Sequence, residues 1–147
     1  MAITVKKITL WRRESGDHPG LMAETLRPLA GYGASLKVAM GYRQPGGGPA
    51  VIELSPVSGK KAVAAAESVS LGASTIPTLL VEGDDRPGLG YALTRAIADA
   101  GINLDFLVAQ VIGRKFSAIL GFASAADAKK ATGLVKKAAR AGKKKKK

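Results

Sequence analysis

The chain has 147 residues, of which 46% are hydrophobic, and a net charge of +12, enough for one ordinary domain or two very small ones. It contains no cysteine and a single histidine, His18, which excludes disulfides, thiolate metal sites, a cysteine nucleophile and a multi-histidine metal site. Eight positive charges, Lys136, Lys137, Arg140 and Lys143 to Lys147, cluster at the C-terminal end without an acid among them; taking them from +12 leaves +4 for the rest, so the basicity reads as a property of a tail rather than of the fold.

The N-terminal run MAITVKKITLWRR has lysines inside its apolar stretch and no small-residue cleavage site, so it reads as a strand, about Ile3 to Arg12, and not as a signal peptide. A helix is expected after the turn Asp17-His18-Pro19-Gly20, with Pro28 inside it removing a hydrogen bond or introducing a kink. Gly33 stands where that helix should stop, in a left-handed cap that suits glycine. Leu36, Val38, Met40 and Tyr42 then alternate with Lys37, Ala39 and Gly41, the period of a strand with one covered face. QPGGGP reads as a flexible hairpin tip, because the Lys-Ser/Thr ending of a phosphate-binding loop is missing. A third strand, about Ala50 to Ser55, and a second helix, about Gly59 to Ser70, close this half.

The second half repeats the plan. A strand is expected at about Ile76 to Glu82. After the turn Asp85-Arg86-Pro87-Gly88, the residues Leu89, Leu93, Ala96, Ile97 and Ala100 share one helical face, and Gly101 marks the stop. Leu104, Phe106 and Val108 alternate as a strand; Gly113-Arg114-Lys115 turns the chain into a strand at about Phe116 to Phe122. A last helix, about Ala126 to Ala141, is mostly alanine with Leu134 and Val135. Each half is thus β-α-β-β-α, an α+β arrangement of antiparallel strands with helices on one face, close to the ferredoxin-like plan.

The halves are copies. A shift of 68 positions lays Asp17 on Asp85, Pro19 on Pro87, Gly20 on Gly88, Leu21 on Leu89, Ala30 on Ala98, Gly33 on Gly101 and Leu36 on Leu104. Repeats of this kind are expected over residues 1–72 and 73–141, followed by a lysine tail at 142–147. Modules of about 70 residues have thin cores, so they are expected to pack on each other or on a second chain.

The segments DDRPGLGYALTRAIADAGIN and, less closely, GDHPGLMAETLRPLAGYGAS resemble the ACT domain. The resemblance covers nearly the whole chain up to the tail. It implies a regulatory module, without catalytic activity and without a cofactor, that binds an amino acid or similar small ligand where modules meet. It further implies allosteric control of an enzyme; no catalytic domain accompanies these modules here, so the expected target is a separate polypeptide, and a homodimer is expected. One departure is that the family's fourth strand has no sequence of its own in either copy, which predicts two three-stranded sheets, joined side by side or completed by another chain, because a bare edge invites aggregation.

The candidate ligand site is the Asp-x-Pro-Gly turn. Proline loses nothing at a first helical turn, glycine lets a ligand approach the backbone, and the unpaired first-turn N–H groups with the helix dipole favour a carboxylate. Gly20 and Leu21, with Gly88 and Leu89, would offer those groups beside Pro19 and Pro87. Asp17 or Asp85 would take an ammonium group or fix the turn, His18 and Arg86 would tune ligand choice, and Ser35 and Asn103 would meet the ligand's polar end. The second copy is the preferred site, since Pro28 burdens the helix of the first. The plain alternative is an ordinary helix start capped by the aspartate.

Two other functions compete. A nucleic-acid-binding module would use the lysine tail non-specifically, although the chain lacks the aromatic-rich strands of ferredoxin-like RNA binders. A purely structural dimerisation module would oligomerise without a small-molecule response. An enzyme is not expected, because neither a nucleophile motif nor a metal-ligand cluster is present.

Overall fold

The structure, a computed structural model, describes residues 3–144. The lysines at 145–147 expected as part of a tail therefore lie outside the described residues. The chain forms two compact units: a first module, Thr9–Thr75, and a second module built from the start of the chain as far as Ile8 together with the sequence from Ile76 on. This replaces the continuous division at residue 72.

The reason lies in the first predicted strand, which is two strands. β1 (Thr4–Ile8) and β2 (Trp11–Ser15) belong to different sheets. Leu10, in the link between them, is fully buried.

In the first module β2 is followed by α1 (Leu21–Gly31), β3 (Val38–Arg43), β4 (Ala50–Ser55), α2 (Lys60–Ser68) and the two-residue β5 (Gly72–Ala73). The antiparallel sheet has the order β3-β4-β2-β5. Residues alternate in β4: Ala50, Ile52 and Leu54 join Leu21, Leu29, Ala65, Ala66 and Leu71 in the core, and Trp11 packs against them. Helix α1 runs through Pro28 without interruption. Its end is sealed as the sequence predicts, with Gly33 at φ 69° and the Ala34 amide donating back to the Leu29 carbonyl at 3.2 Å.

The second module contains β6 (Thr78–Asp84), α3 (Leu89–Asp99), β7 (Leu104–Ile112), β8 (Lys115–Phe122) and α4 (Ala125–Lys144), with β1 added from the start of the chain. Its sheet order is β1-β6-β8-β7. Five residue pairs, from Thr4↔Glu82 to Ile8↔Thr78, join β1 to β6. Each sheet therefore has four strands and not the three expected: β5 completes the first, and β1 completes the second from a place in the chain where a local reading does not look. The core gathers Leu89, Leu93 and Ile97 from α3, Phe116, Leu120 and Phe122 from β8, and Ala131 and Val135 from α4. Gly121 admits the Phe106 ring of the neighbouring strand, which would lie 2.1 Å from a Cβ there.

Helices α1 and α3 have the same length, 11 residues, and begin 68 positions apart, the shift of the sequence repeat. Among the described residues no helix is long and apolar enough to cross a membrane.

Candidate functional site

Both Asp-x-Pro-Gly turns form the same backbone structure. The N-cap of α1 is Gly20, at φ 91°, and that of α3 is Gly88, at φ 81°; neither helix has a side-chain cap hydrogen bond. This left-handed conformation strains any residue with a Cβ, which explains the glycine. It also sets aside the aspartates as caps. The Leu21 amide donates to the His18 carbonyl at 3.3 Å and the Glu24 amide to Gly20 at 2.9 Å; the Leu89 amide donates to Arg86 at 3.2 Å and the Ala92 amide to Gly88 at 2.9 Å. The Leu21 and Leu89 N–H groups, expected to face a ligand, are thus spent closing the turn. The next two amides of each helix, Met22 and Ala23 or Gly90 and Tyr91, donate to no protein group among the described residues.

The surroundings differ. Beside the start of α1 lies a cavity of about 440 Å³ lined by Asp17, His18, Gly20, Leu21 and Met22 on one side and by β3 and β4 residues, including Gly41, Tyr42 and Arg43, on the other. Gly41 matters here because a Cβ at that position would come 2.7 Å from the Met22 terminal methyl. Arg43 donates to Asp17 through its Nε, so a cation and an anion stand together at the rim. His18 leans toward Glu24, with Nε2 3.6 Å from Oε2, and its Nδ1 lies 3.0 Å from the Pro19 carbonyl oxygen.

One wall of this cavity connects to a group that the sequence reading passed over. Glu53, in the middle of β4, is 2% exposed. It accepts from Arg12 Nη1 at 3.2 Å and from the Tyr42 hydroxyl at 3.4 Å. Arg12 is also bound by Glu14 at 2.6 Å, and that hydrogen bond leads in raising its pKa. Burial first, and the Glu53 carboxylate next, push the Tyr42 phenol above its ordinary value. The signal was legible: a lone glutamate in the otherwise apolar run AVIELS must be paired once it is buried.

In the second module the candidate residues are spread out. Asp85 is exposed and Arg86 half-buried. The Asp85 amide donates to the Arg114 carbonyl at 2.8 Å, while the neighbouring Asp84 binds Lys115 at 2.5 Å, which lowers its pKa. A cavity of about 240 Å³ lies further along α3, lined by Gly90, Leu93, Thr94, Leu107 and β8 residues including Phe116 and Leu120; it does not involve Asp85 to Leu89. Its walls are almost wholly apolar. Ser35 and Asn103 are exposed just before their strands and line neither of these cavities. Among the described residues no cluster of histidine and acidic side chains could hold a metal ion.

Solved structures share this architecture. The regulatory subunit of aspartate kinase from Thermus thermophilus superposes with a TM-score of 0.65 at 18% identity, over 94% of this chain and 97% of that one. The fold is a tandem of ACT-like modules. The aspartokinase alpha and beta subunits match with a TM-score of 0.62 at 16% identity, over 94% of this chain and 97% of the other, and protein BT0572 from Bacteroides thetaiotaomicron with 0.66 at 12%, over 88% and 87%. No family model and no curated protein matches the sequence.

Proposed function

We propose that this tandem of ACT-like modules is a regulatory sensor that binds an amino acid or related carboxylate at the start of a first helix, with the first module as the better-furnished site. The observation that carries this reading is the cavity at the start of α1, where Met22, whose amide has no acceptor among the described residues, lines the wall. Two unpaired first-turn amides at the positive end of a helix favour a carboxylate. The paired Arg43 and Asp17 at the rim offer complementary charges to the two ends of an amino-acid zwitterion, and the volume falls within the range of small-molecule sites. Solved neighbours described as regulatory subunits of aspartate kinase support a regulatory role and an enzyme as target; the reading places the protein in the cytoplasm.

The same reading includes a homodimer. β7 lies at one end of its sheet and exposes Leu107, Val108, Val111 and Ile112, an apolar edge that a second copy would cover. Ligand binding to a two-state assembly shifts its equilibrium only as far as the ligand prefers one state.

A thermal-shift panel of the twenty amino acids tests the sensor, since a ligand that binds only the folded state raises the melting temperature by mass action. A concentration-dependent rise with a few amino acids, lost in Arg43→Met, is expected. A folded protein that shows no shift at millimolar concentrations of any of them would refute the reading.

A further inference from the structure

The last helix changes the meaning of the basic C-terminus. Lys136, Lys137 and Arg140, expected in the last helix although their charge was read with the tail, and Lys143 and Lys144, expected in the tail itself, are all residues of α4, which extends from Ala125 to Lys144. The basicity is therefore in large part a property of the fold. Ala128, Ala131, Val135 and Ala139 are buried, and Leu134 and Ala138 pack beside them. The exposed positions between Lys129 and Arg140 are Lys129, Lys130, Gly133, Lys136, Lys137 and Arg140: every one with a side chain is a cation. None of these five forms an ion pair among the described residues.

Like charges on one face repel, and an isolated helix is destabilised by such pairs at i,i+4 spacing. Here tertiary packing of the opposite face holds the stripe in place. At a rise of about 1.5 Å per residue the five cations stand at unequal axial steps of roughly 1.5, 9, 1.5 and 4.5 Å, over about 16 Å in all. Five cations over that length match the charge density of one duplex strand, one phosphate per roughly 3.4 Å of helix axis.

We propose that the outer face of α4 docks along the phosphate backbone of a nucleic-acid duplex without reading its sequence. The chemistry of the face selects this partner over others. It carries no aromatic residue on which unpaired bases would stack, and no Asn or Gln to pair with adenine edges. It has no apolar or aromatic anchor of the kind that dominates protein–protein interfaces. The apolar side of the helix, which a membrane-lying helix would need to insert, is committed to the core of its own module.

The test is fluorescence anisotropy of a labelled duplex of about 20 base pairs against salt, using the full chain and two variants. In the first, Lys129→Gln, Lys136→Gln and Arg140→Gln are combined, with circular dichroism confirming that it remains helical. In the second, the lysines at 145–147 are replaced by Gln. Each cation lost from a phosphate contact lowers the slope of log K against log salt by about 0.9. The face variant should thus lose between two and three units of slope and more than tenfold in affinity at low salt, equally for unrelated sequences. The 145–147 variant should retain most of the binding. Absence of duplex binding at low salt would overturn the proposal. So would binding that survives in the face variant and disappears with residues 145–147, strong preference for one duplex sequence, or capture by phosphatidylserine vesicles in place of the duplex.

Discussion

The starts of α1 and α3 are the same backbone placed in different company. Both use a left-handed glycine, both close the turn through the following leucine amide, and both leave the next two amides without an acceptor among the described residues. Only the residues around them differ: the first turn borders a cavity with a charged rim, whereas the second module's cavity is apolar, lies further along α3 and excludes the turn. A repeated motif therefore specifies a local conformation, and the side chains brought across the sheet decide whether that conformation faces a usable space. Gly41, Tyr42 and Arg43 make that difference, and they lie outside the repeated turn.

The comparison can be broken at several depths. The largest effect is expected from Phe122→Ala, which empties a fully buried position of the second module's core and should destabilise by about 3 to 5 kcal/mol in denaturant unfolding. Next is Arg12→Met in the first module, which leaves the Glu53 carboxylate, 2% exposed, with the Tyr42 hydroxyl alone; about 2 to 3 kcal/mol is expected, less than for a fully enclosed pair because Arg12 is 27% exposed. A sharper contrast comes from Gly20→Ala and Gly88→Ala. Each forces a Cβ into a left-handed conformation, at about 1 to 2 kcal/mol, so the two should cost the same in stability, while Gly20→Ala alone should weaken the response to ligand. Equal loss of ligand response in both would show that the turns do not differ in function.

The smallest effect concerns acid. Asp84 has its pKa lowered chiefly by the hydrogen bond from Lys115. A lowered folded-state pKa contributes stability that is present above the unfolded value, about 3.9, and is lost as the pH falls through the folded value. Lys115→Met should move the Asp84 carboxyl titration, followed by carbon-detected NMR, upward toward that unfolded value.

Much of this architecture was legible. Equal spacing between the turn and the later glycine located α1 and α3, and period-two alternation located β3 and β7. What escaped was non-local or chemically silent. Nothing between Ile8 and Trp11 signals a break, because neither Thr9 nor Leu10 is a turn residue, so the transfer of β1 to the second module was hidden. β5 consists of Gly72 and Ala73, residues with little strand preference. At the candidate site, the sequence marked the turn as a helix start, but it could not tell which amides the turn consumes. Asp17, expected to take a ligand's ammonium group or fix the turn, pairs with Arg43, a partner 26 residues away that only the hairpin of β3 and β4 brings near.

The most direct test of the sensor reading is an amide-detected NMR titration of the assigned protein with those amino acids that raise its melting temperature. Saturable shifts centred on the Met22 and Ala23 amides, with Leu21 less affected because its N–H is already bonded to His18, are the predicted result. Saturable binding that leaves Met22 and Ala23 unmoved would contradict it, because the ligand would then be held by something other than the unpaired opening of α1.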